Sequence, residues 1–268
     1  MGRRAPGGLL SASPTALRVI AAEAARAAGE LLRERFVAGG EQAVGSKSSP
    51  TDVVSEADLA AERAIRELIA ARRPGDAILG EEGGETQAGE GLRWIVDPLD
   101  GTVNFLYGVP QWCVSVAVHD DGGAVAGVVF DPMRDELFAA ERGGRTTLNG
   151  TPITGSTCSR LESALVATGF AYESSVRSSQ AAVVARVLPA VRDVRRMGGA
   201  ALDMAWASAG RFDAYYERGV QAWDIAAGTL LCECAGLVVH PITAEGAASV
   251  GVVVAPPALI EDLRALVS

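Results

Sequence analysis

Histidine is scarce in this chain: His119 and His240 are the only two in 268 residues, and neither lies near a motif. The four cysteines, Cys113, Cys158, Cys232 and Cys234, show no paired ligand spacing. Cys232 and Cys234 fall two apart on an expected helix, where side chains diverge. A zinc site is therefore disfavoured, and the thiols read as free and buried in a reducing cytosol. No Ser/His or Cys/His arrangement supplies a covalent nucleophile. No apolar run approaches the length of a membrane span. The first residues carry two arginines but no apolar stretch behind them, so they do not read as a signal peptide. Pro6 stands where a myristoylation pattern needs Ser or Thr. The expected location is the cytoplasm, with no membrane partner.

Positive charge is also short. Twenty-four Lys and Arg face 33 Asp and Glu, a formal net charge of −9 and a pI near 4.9. Such a surface repels nucleic-acid backbones and anionic lipids. A small anionic substrate is still compatible if cations in the site reverse the local field.

What is present is an ordinary globular composition, 49% hydrophobic and 21% charged, long enough for one large core or two packed domains. Ser13-Pro14 opens a helix whose apolar residues recur at helical spacing until Gly39-Gly40. Ser55 reads as the N-cap of a second helix that stops at Pro74-Gly75. Strands follow at 77–80, 94–96, 113–118, 124–130 and 137–140, with turns at Asp120-Asp121-Gly122-Gly123 and Asn149-Gly150. Beyond Cys158 the pattern alternates. Strands are expected at 165–167, 214–217, 238–239 and 250–254, with 194–197 extended. Helices are expected at 180–188, 200–209, 224–235 and 259–266. Helices and a meander first, alternation second, argue for sheets with covering helices. The chain divides into an N-terminal α+β part, residues 1–157, and a C-terminal α/β part, residues 158–268.

Four acidic positions stand where elements begin or end. The strand at 94–96 runs into Asp97-Pro98-Leu99-Asp100-Gly101-Thr102, and two carboxylates so placed can share hard, oxygen-ligated cations such as Mg²⁺. Gly101 permits close backbone approach, and Thr102-Val103-Asn104 opens a short helix whose N–H groups suit a phosphate. A tight turn with an aspartate cap explains the same residues without chemistry. Glu81-Glu82 follows an apolar strand, Asp224 begins a helix, and Asp58 follows Ser55 at capping-box spacing. Each has its own ordinary explanation, as a solvated pair, a cap and a capping box.

In combination these motifs resemble the inositol monophosphatase family, especially its bacterial members. Asp97 to Thr102 with Asn104-Phe105 resembles the first family signature, and Trp223 to Gly228 the second. Lys47 to Asp58 and Gly80-Glu81-Glu82 match the remaining motifs in order, so the resemblance runs from about Lys47 to Gly236. It implies a layered αβαβα sandwich of the sugar-phosphatase type, with an antiparallel sheet in the N-terminal half and a mixed sheet in the C-terminal half. It implies Mg²⁺, two or three ions per site. Glu81, Asp97 and the Leu99 carbonyl would hold the first and Asp97, Asp100 and Asp224 the second, with Glu81 reaching a third. Gly101 and Thr102 would grip phosphate, while Asp58 and Thr102 would position the attacking water. Asp100, Gly199, Ala200, Glu217 and Asp224 would face the alcohol. Li⁺ inhibition and a homodimer are implied as well.

The resemblance thus implies hydrolysis of a small phosphorylated alcohol by metal-activated water, with inositol 1-phosphate the leading substrate. Histidinol phosphate, fructose 1,6-bisphosphate and 3′-phosphoadenosine 5′-phosphate are alternatives on the same scaffold. The loops around Glu217 and 172–180 carry no basic cluster for a second phosphate, which weighs against bisphosphates. Gly199 stands where Ser or Thr is common in the family, and Ser55 where Thr is common. A non-enzymatic regulatory protein on the same fold is the reading from another class, since some bacterial relatives are associated with the transcription machinery.

Overall fold

The computed structural model describes residues 13–39, 44–46, 53–86, 91–242 and 251–268; the motif residues from Lys47 to Asp52, and the side chain of Ser55, lie outside them. Helix α1 (Pro14–Ala38) starts where Ser13 Oγ accepts the Ala16 amide at 3.2 Å and ends on Gly39 at φ 63°. Helix α2 (Glu56–Arg72) follows the short hairpin of β1 (Val44–Ser46) and β2 (Val53–Ser55).

The first large sheet draws on β3 (Ala77–Gly80), β4 (Gly84–Glu85), β5 (Arg93–Asp100), β6 (Cys113–Asp120), β7 (Gly123–Asp131), β8 (Glu136–Glu141), β9 (Thr147–Leu148) and β10 (Thr151–Pro152). Its eight strands run in the order β10-β9-β8-β7-β6-β5-β3-β4. The expectation of an antiparallel sheet holds for every pair but one. β3 and β5 are parallel, because the chain reverses at Glu81–Gly83 into β4 and returns to enter β5 in the direction of β3. The second sheet joins β11 (Leu165–Thr168), β12 (Asp193–Arg195), β13 (Ala214–Arg218), β14 (Val238–Ile242) and β15 (Gly251–Ala255) in the order β12-β11-β13-β15-β14. It is mixed, as expected: β11 is parallel to both neighbours and β15 antiparallel to both of its own.

The remaining helices are α3 (Thr102–Leu106), α4 (Ser174–Val187), α5 (Ala200–Ser208), α6 (Ala222–Cys234) and α7 (Ile260–Val267). Five layers result: α1 and α2, the first sheet, α5 and α6, the second sheet, then α4 and α7. The layering follows from period-2 alternation on strands buried on both faces. On β5, Trp94 and Val96 face α1 and α2 while Ile95 faces α5 and α6. On β13, Tyr215 turns inward to the α5–α6 layer and Tyr216 outward to the α4–α7 layer. The middle layer fits because its contacts are small. A Cβ on Gly228 of α6 would lie 2.7 Å from Met204 Cβ of α5.

Three expectations need correction. Helix α4 begins at Ser174, six residues before the expected start. Its first turns bury almost nothing, so they carry no apolar periodicity to read. Helix α6 begins at Ala222 rather than Asp224, with Gln221 as its cap and Asp224 as the third residue of a capping box. The four thiols are free, but only Cys113 and Cys232 are buried; Cys158 and Cys234 are half-buried.

The α6 layer also meets the first sheet with no space to spare. A Cβ on Gly127 of β7 would lie 3.1 Å from both Cα and O of Ala227. Gly127→Ala is expected to destabilise the fold by about 1–3 kcal/mol, as overpacking does. Urea unfolding should show the midpoint fall with the slope unchanged.

Candidate active site

Strand β5 does not end at Asp97 as the sequence suggests; it runs on to Asp100 through an irregularity against β6 between the two aspartates. Pro98 has no N–H for the ladder. The Leu99 amide leaves it too, donating to Asp97 Oδ1 at 3.0 Å. The one extra residue of this bulge breaks the alternation of β5, and both carboxylates line the same cavity. Gly101, at φ 98°, then turns the chain into α3.

That turn opens into a cavity of about 520 Å³ between the two sheets. Every residue assigned to the site from the sequence lines it except Asp58 and Gly199. Asp58, fully buried on α2, stands behind the wall and accepts from Thr102 Oγ1 at 3.1 Å. The Leu99 carbonyl, also 3.1 Å away, competes for the same hydroxyl proton. Gly199 backs Asp100, whose Oδ2 lies 2.8 Å from where a Cβ would stand. The missing side chain at Gly199 therefore bears on Asp100 rather than on the open cavity.

Asp97 and Asp100 are 2% and 7% exposed, and Asp224 is half-buried at the start of α6. Burial raises the Asp97 carboxyl well above its usual range, and the charges of Glu81, Asp100 and Asp224 raise it further. Asp100 is raised to about 6 by burial, held back by bonds from the Leu202 amide, the Cys113 thiol and the Ala200 amide. Burial likewise raises Asp224 well above its usual range, against the bond that its Oδ2 accepts from the Gln221 amide at 2.6 Å.

Among the described residues none of Asp97, Asp100 and Asp224 forms an ion pair, whereas the buried acids Asp131 and Glu62 pair with Arg134 and Arg66. Buried carboxylates without a cation are costly. Hard oxygen donors in that state suit Mg²⁺ in chemical type. Among the described residues no three His, Cys, Asp or Glu side chains converge closely enough to grip an ion as they stand. The Asp100 and Asp224 oxygens are turned toward backbone amides. An ionised carboxylate has about four lone-pair sites, so these bonds leave room for a further ligand.

Arg196, Asp203 and Glu62 were not legible in the sequence, and the role of Asn104, quoted there only as part of a signature, was not either. Among the described residues Arg196, in the loop between β12 and α5, is the one basic side chain on the cavity wall, over the Phe170 ring at 5.9 Å. Asn104 Nδ2 donates to the carbonyls of Gln111 and Met197, both at 2.8 Å, and so ties α3 to the Arg196 loop. Asp203, 1% exposed with an unpartnered Oδ1, lies under the Glu217 side of the site. Glu62 holds the Glu81–Gly83 turn. The α5 spacing of Asp203 from Ala200 was the one available signal. His119 and His240 lie on β6 and β14, outside the cavity wall.

The model of the "Inositol monophosphatase family" matches residues 13–267. The chain belongs to that family. It is 42% identical to the "Inositol-1-monophosphatase SuhB" of Mycobacterium tuberculosis, over 94% of this chain and 93% of that protein. It is 39% identical to the "Nus factor SuhB" of Escherichia coli K12, over 84% of each. Among solved structures, extragenic suppressor protein suhB from Bartonella henselae superposes with a TM-score of 0.87 at 34% identity, covering 94% of this chain and 98% of that one. Membership in the inositol monophosphatase family supports phosphatase activity and, the family being generally metal-dependent, a metal requirement. No helix among the described residues is long and apolar enough to cross a membrane.

Glu217 carries the pH signature of this family member's site. Its carboxyl is raised to about 7, by burial first, with Asp100 adding to it and the Tyr215 hydroxyl bond opposing it. The folded state thus holds that proton more tightly than the unfolded chain. The stability it contributes is full below about 4.5 and is lost as pH rises through about 7. In metal-free protein the melting temperature is expected to fall between pH 5 and 8, and to fall less in Glu217→Gln.

Proposed function

We propose that the chain hydrolyses a small phosphate monoester in a Mg²⁺-requiring reaction, with inositol 1-phosphate as the leading substrate. The observation that carries this reading is the gathering of Asp97, Asp100 and Asp224 without a cationic partner among the described residues, on the wall of a cavity of about 520 Å³. Mg²⁺, as two or three ions held by Glu81, Asp97, the Leu99 carbonyl, Asp100 and Asp224, would neutralise the dianion and make bound water acidic enough to attack.

The protein's own groups do the rest. Gly101 and Thr102 line the wall and donate backbone N–H groups to the phosphate, with the Thr102 hydroxyl oxygen close by. Asp58 accepts the Thr102 proton, which leaves the hydroxyl oxygen free to accept from the attacking water and aim it. Asp58 is buried, so it stays on this task rather than on solvent. Ala200 bounds the alcohol side, with Asp100 and Asp224 beside it and Gly199 behind. Glu217 takes a hydrogen bond from Tyr215 on Oε2 and offers its other oxygen to substrate hydroxyls. Arg196 can only donate, so with Glu217 it makes a donor–acceptor pair suited to a polyhydroxy alcohol.

Arg196 also supports one alternative. A guanidinium on the wall gives a second anionic group somewhere to bind, so fructose 1,6-bisphosphate and 3′-phosphoadenosine 5′-phosphate stand ahead of histidinol phosphate. The regulatory reading rests only on the name of the Escherichia coli relative, and the complete acid set weighs against it. We extend the reading to a cytoplasmic, Li⁺-inhibited homodimer on the family resemblance. The division into residues 1–157 and 158–268 is supported by each large sheet drawing all its strands from one part.

Asp97→Asn is expected to abolish Mg²⁺-dependent phosphate release while circular dichroism stays unchanged; retained turnover would remove Asp97 from the site. A panel of phosphate esters then ranks the alcohols, and silence on inositol 1-phosphate with fast histidinol phosphate cleavage would sink the leading choice. Arg196→Ala is expected to raise KM for a bisphosphate about 10- to 100-fold, the range for a lost charged hydrogen bond. The same change should alter a monophosphate's KM less.

A further inference from the structure

We propose that Glu62 is a positioning residue that fixes Glu81 at the cavity wall, so that α2 holds both edges of the site through one buried face. The proposal rests on the reading of Glu81 as a metal ligand. Asp58 and Glu62 are four residues apart on α2 and share a side of the helix. Both are buried, at 0% and 3% exposure. Asp58 reaches Thr102. Glu62 reaches the turn that follows β3: its Oε2 accepts the Glu82 amide and its Oε1 the Gly83 amide, each at 2.8 Å. Arg66 completes the grip, donating to Glu62 Oε1 at 2.6 Å and to the Gly84 carbonyl at 2.6 Å.

The turn is shaped around this carboxylate. A Cβ on Gly80 would lie 2.6 Å from Glu62 Cδ, and one on Gly83 would lie 2.6 Å from Glu62 Oε1. Glycine at both places lets the backbone of Gly80-Glu81-Glu82-Gly83 wrap the carboxylate closely. β4 is two exposed residues at the edge of the sheet, and so short an edge pairing is weak by itself. A simple buried ion pair with Arg66 would need no bonds to the turn, and such pairs contribute little net stability. Glu62 instead places its two oxygens on successive amides directly after Glu81.

The test is direct Mn²⁺ binding by the full metal-free chain, read as the loss of free-Mn²⁺ paramagnetic resonance, with no substrate present. Glu62→Gln is expected to weaken Mn²⁺ binding about 10- to 100-fold, the usual effect of removing a group that orients a ligand. Ile65→Val, on the same helix and fully buried, lowers stability alone and is expected to bind Mn²⁺ like the wild type. Gly80→Ala keeps every charge but pushes the carboxylate off the turn. It should weaken binding as Glu62→Gln does, and it decides the matter if Glu62→Gln does not fold. Wild-type Mn²⁺ affinity in a folded Glu62→Gln or in Gly80→Ala overturns the role of Glu62 alone. A wild-type chain that takes up no Mn²⁺ overturns the metal reading of Glu81 and this proposal with it.

Discussion

Repulsion among Asp97, Asp100 and Asp224 is the constraint around which the middle of this molecule is arranged. Like charges attract no compensation from a low-dielectric interior, and their interaction there is several times what water would allow. The protein meets it with backbone amides rather than with arginine. Leu99, Ala200, Leu202 and Gln221 each turn an N–H onto one of these carboxylates. Two of those amides open α5 and a third caps α6, so the positive ends of both central helices point at the acids. The α5–α6 layer is therefore oriented by the site it serves. Its small residues, Ala227 and Gly228 among them, let two sheets close on it.

The bulge in β5 is the second half of that arrangement. In a regular strand Asp97 and Asp100, three apart, would point to opposite faces. The irregularity at Pro98-Leu99 removes that alternation, and the Leu99 amide is satisfied by Asp97 itself instead of by β6. A backbone defect and the proposed ligand pair are thus the same feature. Gly101 must then leave the strand at positive φ within hydrogen-bonding reach of nothing bulkier than its own backbone, since a Cβ there would lie 3.0 Å from the Gln111 carbonyl.

What could be read from the sequence follows from this physics. Sheets with covering helices were legible because the apolar runs of β5, β13 and β15 and the helical periodicity of α1 are strong local signals, while the αβαβα order was implied only by the family resemblance. The acidic residues were legible because Asp97 to Thr102 combines proline, glycine and paired carboxylates in one place. Helix α4 was shortened because an exposed helix has no apolar stripe. β4, β9 and β10 went unread because two-residue strands exist only through their partners. Glu62, Arg196 and Asp203 were missed for one reason: each acts on a residue far away in the chain, and no local pattern marks a long-range contact.

The two sides of the cavity are built from different materials. Where phosphate and metal would bind, backbone amides bond Asp97, Asp100 and Asp224, on rigid elements, with bulge, cap and glycine combined. On the alcohol side the contacts are side chain to side chain, Tyr215 with Glu217 and Arg196 over Phe170, beside a helix whose first turns are exposed. Replacing a side chain in the second set alters a surface; replacing one in the first exposes an uncompensated charge or amide. On the proposed reading, reaction type is therefore the harder property to change in this fold and substrate choice the easier one, since the alcohol side depends on a handful of exchangeable groups.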